Sequence, residues 1–345
     1  MVREISHIYI QMRTYLKESQ EHSTLGDKML QHCEVLDSIQ NKKKWKPITF
    51  QLCPTSICDF NCKFCSVGNR DKTISIPFKT IIKGLKDFKK LGAKALEITG
   101  GGNPLLYPKI NEVIAYAHKL GYDIGMICNS INPSKYLTKE SASYLTWYRC
   151  SISAYHNIPN FNYKMYDLSV IPAGVLSFSY VINKDTTKWI LEDIIRLVKT
   201  RPDTKFVRIC PDYLNDHMIE TFKTRWSPMV EKLDKDGKFF FKELIASCTA
   251  YPDFCGIGMI RPYICEDGYA YMCSSFVLRR RRLEPQYRMC HLKDIKKFYK
   301  EANKRFKKGE LPYTAPISEC YHCQLGSNNQ FLHNVIREFE DKNFA

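Results

Sequence analysis

The chain has 345 residues, 44% of them hydrophobic, and its 52 basic against 36 acidic side chains give a formal net charge of +16. That length allows one large domain and a smaller one, and the hydrophobic share is that of a globular protein rather than a disordered or fibrous one. No apolar run approaches the roughly 20 residues of a membrane helix, and MetValArgGluIleSerHis has no signal-peptide core, so the expectation is a cytoplasmic protein with no membrane partner.

Residues 1–45 carry an amphipathic helical pattern, with HisIleTyrIleGlnMet and MetLeuGlnHisCys on either side of a polar stretch at 17–27. They are expected to pack on the exterior of the domain formed by residues 46–236. Over 46 to about 236, short β-branched runs alternate with amphipathic stretches, the signature of βα units on a parallel sheet. Predicted strands are 49–53, 95–99, 122–128, 147–153, 175–182 and 205–210. Predicted helices are 77–91, opening at Pro77, 108–120, stopped near Gly121, 187–200 and 215–235. The fold class is therefore α/β, a partial (βα)6 barrel of TIM type with helices outside and functional loops after the strand C-termini. After about 236 the rhythm stops. A small domain over 237–327 is expected, with GluAspGlyTyrAlaTyr (266–271) as a hairpin turning at Asp-Gly, then a C-terminal helix within 328–345, where 331–339 has helical spacing.

The loop after the first strand carries the strongest chemical signal. Cys58, Cys62 and Cys65 fall in IleCysAspPheAsnCysLysPheCys, a CxxxCxxC spacing that puts three thiolates on one tight loop. Three soft sulfur ligands can hold three corners of a cubic [4Fe–4S] cluster and leave the fourth iron open to a small molecule. Zinc is the alternative, although zinc sites usually pair two CxxC-like knuckles and no second such knuckle follows nearby. The second strand runs into ThrGlyGlyGlyAsnPro (99–104), whose glycines let the backbone approach a ligand, or simply make a turn. Asn129 and Ser153 stand at the ends of the third and fourth strands, where small polar residues also serve turns of their own. Cys128, Cys150 and Cys210 lie within predicted strands and are expected as small core residues.

CxxxCxxC with an aromatic at Phe64 resembles the signature of the radical S-adenosylmethionine (SAM) superfamily. The resemblance implies that Cys58, Cys62 and Cys65 ligate a [4Fe–4S] cluster whose open iron chelates SAM, and that one electron cleaves SAM to a 5′-deoxyadenosyl radical. Phe64 would pack near the adenine. Gly101, Gly102, Asn103 and Pro104 are similar to the family's GlyGlyGluPro motif, which holds the SAM amino group, with Asn103 in place of the glutamate. An asparagine accepts a hydrogen bond but brings no charge. Asn129 and Ser153 resemble SAM-contacting positions. A reductant such as flavodoxin or ferredoxin is implied as a partner.

The 15 cysteines are odd in number and several have metal-type spacings, which argues for reduced thiols rather than disulfides. Beyond 236 lie Cys248, Cys255, Cys265, Cys273, Cys290, Cys320 and Cys323. Cys255, Gly268, Cys273 and the Cys320–Cys323 knuckle resemble the twitch domain, a short relative of the SPASM extension. By that resemblance Cys255, Cys273, Cys320 and Cys323 hold one auxiliary [4Fe–4S] cluster. Cys248, Cys265 or Cys290 could replace one of these, and zinc with His322 is the alternative.

The expected function is a radical SAM enzyme of oxidoreductase type that abstracts hydrogen from a peptide or small-molecule substrate, with an auxiliary cluster for electron transfer. Basic runs at Lys42 to Lys44, Arg279 to Arg282, and from Lys296 through Lys308 fit either solvated helix faces or a polyanionic partner. A radical SAM enzyme acting on nucleic acid or nucleotide, and a non-enzymatic iron–sulfur or zinc protein, therefore stand as alternatives.

Overall fold

The structure is a computed structural model, and the residues it describes are 26–241, 255–274, 283–311 and 325–336. Within them a helix α1 (Cys33–Gln40) precedes six strands with helices after all but the fourth: β1 (Thr49–Leu52), α2 (Phe78–Leu91), β2 (Ala95–Ile98), α3 (Ile110–Lys119), β3 (Asp123–Cys128), α4 (Lys139–Ser143), β4 (Trp147–Ser151), β5 (Leu176–Ile182), α5 (Lys188–Thr200) and β6 (Val207–Pro211). The last helix region runs as α6 (Asp216–Thr221), a π-helical turn at Phe222–Trp226 that buries Phe222 and Trp226, and α7 (Ser227–Leu233). Then come β7 (Phe239–Phe241), α8 (Ile257–Ile260), β8 (Tyr263–Ile264), β9 (Tyr269–Tyr271), β10 (Arg288–His291), α9 (Ile295–Phe306) and α10 (Gly326–Ile336).

All strands form one sheet in the order β10-β9-β8-β1-β2-β3-β4-β5-β6-β7. From β8 across to β7 every pairing is parallel, and β9 and β10 add antiparallel edges. The sheet stays open, which makes it a partial barrel. Side chains alternate across it. Outward, Phe50 stacks on Phe88 of α2 at 4.0 Å between ring centroids. The buried Ile81, Leu85 and Phe88 repeat at helical spacing and lay α2 on the sheet, and α2 stops at Gly92 with φ 111°. Inward, the pattern is polar: Gln51, Glu97, Arg149, Ser177 and Arg208 face the lumen, and the buried Glu97 pairs with Arg261 at 2.8 Å.

The six predicted strands stand within about two residues of their expected bounds. Two features, a seventh strand and the sheet that the hairpin joins, differ from the sequence reading. A seventh strand, β7, pairs parallel with β6. The Asp-Gly hairpin joins the barrel's own sheet, with Gln51 opposite Tyr263. The lysine-rich stretch is one face of α9, whose other face buries Ile295, Tyr299, Ala302 and Phe306. That helix is fastened to the N-terminal segment, where Asn303 Oδ1 accepts from the Trp45 N–H at 2.7 Å and Asn303 Nδ2 donates to Trp45 O at 3.1 Å. Met29, Val35 and Ile39 pack α1 and the turn before it onto the core. The pattern predicted at 7–12, Arg279 to Arg282, Cys248, Cys320 and Cys323 lie outside the described residues.

Candidate functional site at the mouth of the barrel

The cysteine loop leaves β1 at Leu52 and returns at Ile76, pinched at its base. Ser56 and Ile74 exchange backbone and hydroxyl bonds of 2.9–3.0 Å, and Ile76 N–H donates to Pro54 O at 3.0 Å. Such a closed base fixes the loop's path without the cysteines having to do so. Within it Cys65 N–H donates to Cys62 O at 3.1 Å and Gly68 N–H to Cys65 O at 3.0 Å. The glycine loop docks on the first one: Gly102 N–H donates to Thr55 O and Asn103 N–H to Ile57 O. A Cβ on Gly102 would overlap Ile57 O, so only glycine permits this approach.

Cys58, Cys62 and Cys65 are all half-buried, and each sulfur meets a nitrogen donor from elsewhere. Asn129 Nδ2 stands 3.6 Å from Cys58 Sγ, Asn157 Nδ2 3.1 Å from Cys62 Sγ and Arg70 Nη1 3.4 Å from Cys65 Sγ. Burial pushes the Cys58 and Cys62 thiols up, while the Phe60 amide and Arg70 at the first, and Asn157 and Ser153 at the second, pull them back. Among the described residues no three His, Cys, Asp or Glu side chains converge on a single ion. The donor set fits a cubic cluster, in which each thiolate takes its own iron and N–H groups steady the sulfurs.

The other sequence-derived residues divide. Ser153 is buried beside Cys62, and its carbonyl accepts from Asn157 Nδ2 at 2.7 Å. Phe64 sets its edge against His156 at 5.4 Å, and the His156 Nε2 meets Tyr180 Oη and Asn183 Nδ2 at 2.9 and 3.0 Å. Asn103 is fully buried; its Oδ1 accepts from Leu105 N–H and its Nδ2 donates to Asp59 Oδ1, both at 3.2 Å. Asn129 Nδ2 reaches the same Asp59 oxygen at 3.4 Å. Gly101 faces Glu266 of the C-terminal hairpin, a carboxyl that burial pushes up. Asp59, Arg70, Asn157 and Glu266 were not singled out from the sequence. Asn157 is a single polar residue remote from the cysteine motif, Arg70 follows Cys65 by five residues without any motif of its own, and Asp59 is the one acid inside the cysteine spacing.

Of the C-terminal cysteines, Cys255 and Cys273 are half-buried and lie on segments that meet, because Gly258 of α8 backs onto the Met272 backbone. Cys265 is fully buried and burial pushes its thiol well up, with the Cys53 and Glu266 charges adding; Cys290 is pushed up to about 12 by burial, with Asp294 adding. Cys128 and Cys150 are buried as expected, whereas Cys210 is half-buried on the inner face of β6.

An open parallel βα barrel with a three-thiolate loop at its C-terminal mouth defines a class of cluster-bearing barrel enzymes. The family model of the radical SAM superfamily matches residues 52–224, half of the chain, and the chain belongs to that superfamily. A [4Fe–4S] cluster and SAM are the cofactors that membership brings. Two solved structures of Streptococcus suis SuiB share the fold. The one bound to precursor peptide SuiA has a TM-score of 0.53 at 14% identity, over 94% of this chain and 83% of that one. The one bound to S-adenosylmethionine has a TM-score of 0.53 at 16% identity, over 92% and 78%. A Flammeovirga pacifica protein, an S-adenosylmethionine-dependent nucleotide dehydratase, is 29% identical over 109 residues, covering 30% of this chain and 37% of that protein. The match thus spans little more than a third of that relative. No helix among the described residues is long and apolar enough to cross a membrane.

Proposed function

We propose that Cys58, Cys62 and Cys65 ligate the superfamily's [4Fe–4S] cluster and that the chain initiates hydrogen abstraction from a substrate held in the barrel lumen. The observation that carries this is the placing of a nitrogen donor from Asn129, Asn157 and Arg70 at each of the three sulfurs. A cluster bound there supplies one electron to cleave SAM into methionine and a 5′-deoxyadenosyl radical, which takes a hydrogen atom from the substrate. The backbone of Gly101 and Gly102 lines the approach to the open corner. Asn103 has its amide committed to Leu105 and Asp59, so the negative charge facing the SAM ammonium comes from Asp59, which Asn103 and Asn129 hold in place. Phe64 and Ser153 flank the same space.

The finer reading adds an auxiliary [4Fe–4S] cluster on Cys255, Cys273, Cys320 and Cys323, in a C-terminal unit over 237–327. Contact between the segments of Cys255 and Cys273 supports it. Those four cysteines would hold a cluster able to accept one electron from a substrate radical, chemistry that would suit dehydrogenation of a peptide or small molecule in the cytoplasm. The test is iron, sulfide and zinc per chain after anaerobic reconstitution, with 5′-deoxyadenosine release under dithionite. About eight irons falling to about four when Cys58, Cys62 and Cys65 are all changed to alanine supports both clusters. About four falling to none, with zinc retained, removes the auxiliary cluster. No 5′-deoxyadenosine under any condition removes the radical reading.

A further inference from the structure

The barrel lumen holds more positive charge than it neutralises. Among the described residues Glu97 is the single buried carboxylate that pairs with the inner-face arginines Arg149, Arg208 and Arg261, and its one ion pair is with Arg261. Glu97 itself is spoken for. Arg261 Nη2 bonds its Oε2 at 2.8 Å and Gln51 Nε2 its Oε1 at 2.8 Å. Burial pushes its carboxyl up, but Arg261 first, then Arg149 and Gln51, outweigh that and hold it below the ordinary range.

Arg149 is 7% exposed and makes no hydrogen bond or ion pair among the described residues, and its Nε is buried without a partner there. Its guanidinium rests 5.3 Å from the Trp147 ring and 5.7 Å from the Phe206 ring, contacts that hold it but accept no N–H. Burial, with the Arg208 charge beside it, pushes it down to about 10, so it stays charged at neutral pH. Arg208 faces Ser179 of β5, two residues on from the Ser177 that faces Arg149, and likewise makes no hydrogen bond or ion pair among the described residues, its Nε buried without a partner there. Around them the inner-face positions Ile127, Ser151, Ser179, Val181 and Cys210 are half-buried rather than fully packed, so this stretch of the inner face is accessible. Burying two like charges side by side with their donors unused costs several kcal/mol per ion unless something compensates.

We infer that Arg149 and Arg208 form an anion seat at the lower end of the lumen that takes a phosphoryl group of a small-molecule substrate. A guanidinium offers a planar fork to phosphate or carboxylate oxygens, and two adjacent forks with two uncompensated charges match a dianion better than a single carboxylate. The seat rests on the reading of the lumen as substrate chamber and adds its polarity: the acidic end of the substrate points away from the cluster, and the bond that loses hydrogen lies toward Cys58.

The test uses titration calorimetry on the full-length reconstituted protein with inorganic pyrophosphate and, separately, succinate, beside Arg208→Gln and Arg149→Gln, with dithionite-driven 5′-deoxyadenosine release followed on the same samples. Pyrophosphate should bind, and each substitution should weaken it about tenfold or more, the loss expected for charge-assisted hydrogen bonds. Arg208 is half-exposed, so its variant should keep the wild-type melting temperature, and Arg149→Gln removes a buried charge and should melt no lower than wild type. Tighter binding of succinate than of pyrophosphate, or pyrophosphate binding indifferent to both substitutions or absent from wild type, overturns the proposal. Release of 5′-deoxyadenosine persisting through such a failure shows that only the seat has failed; its loss with pyrophosphate binding intact shows that only the radical reading has.

Discussion

The two sets of cysteines in this chain live in opposite surroundings. On the loop after β1, three half-buried sulfurs each face a nitrogen donor brought by a different residue, Asn129, Asn157 and Arg70. On the hairpin side, Cys265 is packed with Cys53, Tyr263 and Tyr271, and its thiol is pushed well up by burial. Cys53 bonds the Tyr263 hydroxyl at 3.0 Å and is likewise pushed up by burial. Burial raises the thiols of Cys58 and Cys62 as it does those of Cys53 and Cys265, and what sets the loop apart is a side-chain N–H donor at each sulfur, of the kind that would steady a thiolate ligand. Surroundings, more than spacing, separate the two uses.

The sharpest way to break that comparison is to remove the loop sulfurs. Replacing Cys58, Cys62 and Cys65 together by alanine should abolish 5′-deoxyadenosine formation and take about four irons per chain; unchanged iron would place the cluster elsewhere. Asn157→Ala strips the Cys62 donor while keeping every ligand. Lost partners behind a ligand typically cost about 10–100-fold in metal affinity or activity, and the cluster's reduction potential should move as well. By contrast Cys265→Ala should leave iron untouched and cost about 1 kcal/mol in denaturant titration, the ordinary effect of a small buried change. Iron loss in Cys265→Ala would move Cys265 into the auxiliary set in place of one of Cys255, Cys273, Cys320 and Cys323.

How much of this was legible follows the same division. The strands β1 to β6 could be read because their β-branched runs are separated by amphipathic helices with stops such as Gly92 and Gly121. β7 and β10 escaped: PhePhePhe is three residues long, and ArgMetCysHis alternates nothing, so each is a strand only because a neighbouring edge accepts it. Within the site, CxxxCxxC and the glycine run are local in sequence and stood out. Asn157 and Glu266 act across folded distances that no spacing encodes, while Arg70 reaches Cys65 within the loop itself. Asn103 kept its place while changing its task, from a charge at the ligand to a cap on Leu105 and a support for Asp59. The lumen arginines were hidden for another reason: single arginines on different strands become a site only when the sheet curls them to one face.

The two cysteine regions meet where Gly101 faces Glu266, and that contact yields the finest predictions. A methyl on Gly101 would overlap the Glu266 carboxylate, so Gly101→Ala should cost about 1–3 kcal/mol, and Glu266→Ala in the same chain should recover part of it, giving a coupling measurable in a double-mutant cycle. Glu266→Gln tests the charge itself. Burial raises this carboxyl in the folded protein, with Arg70 pulling the other way. A raised carboxyl favours the protonated fold, so its contribution is fully present below the unfolded value of about 4.3 and is lost as pH rises from there through the folded value. Glutamine does not titrate. The stability of Glu266→Gln relative to wild type should therefore climb as pH rises from about 4.3 through the folded value and then level off, each unit of the raise counting about 1.4 kcal/mol. Denaturant titration of both proteins across that range reads it directly, and a difference that falls with pH would mean that Arg70 holds Glu266 as a stabilising carboxylate instead.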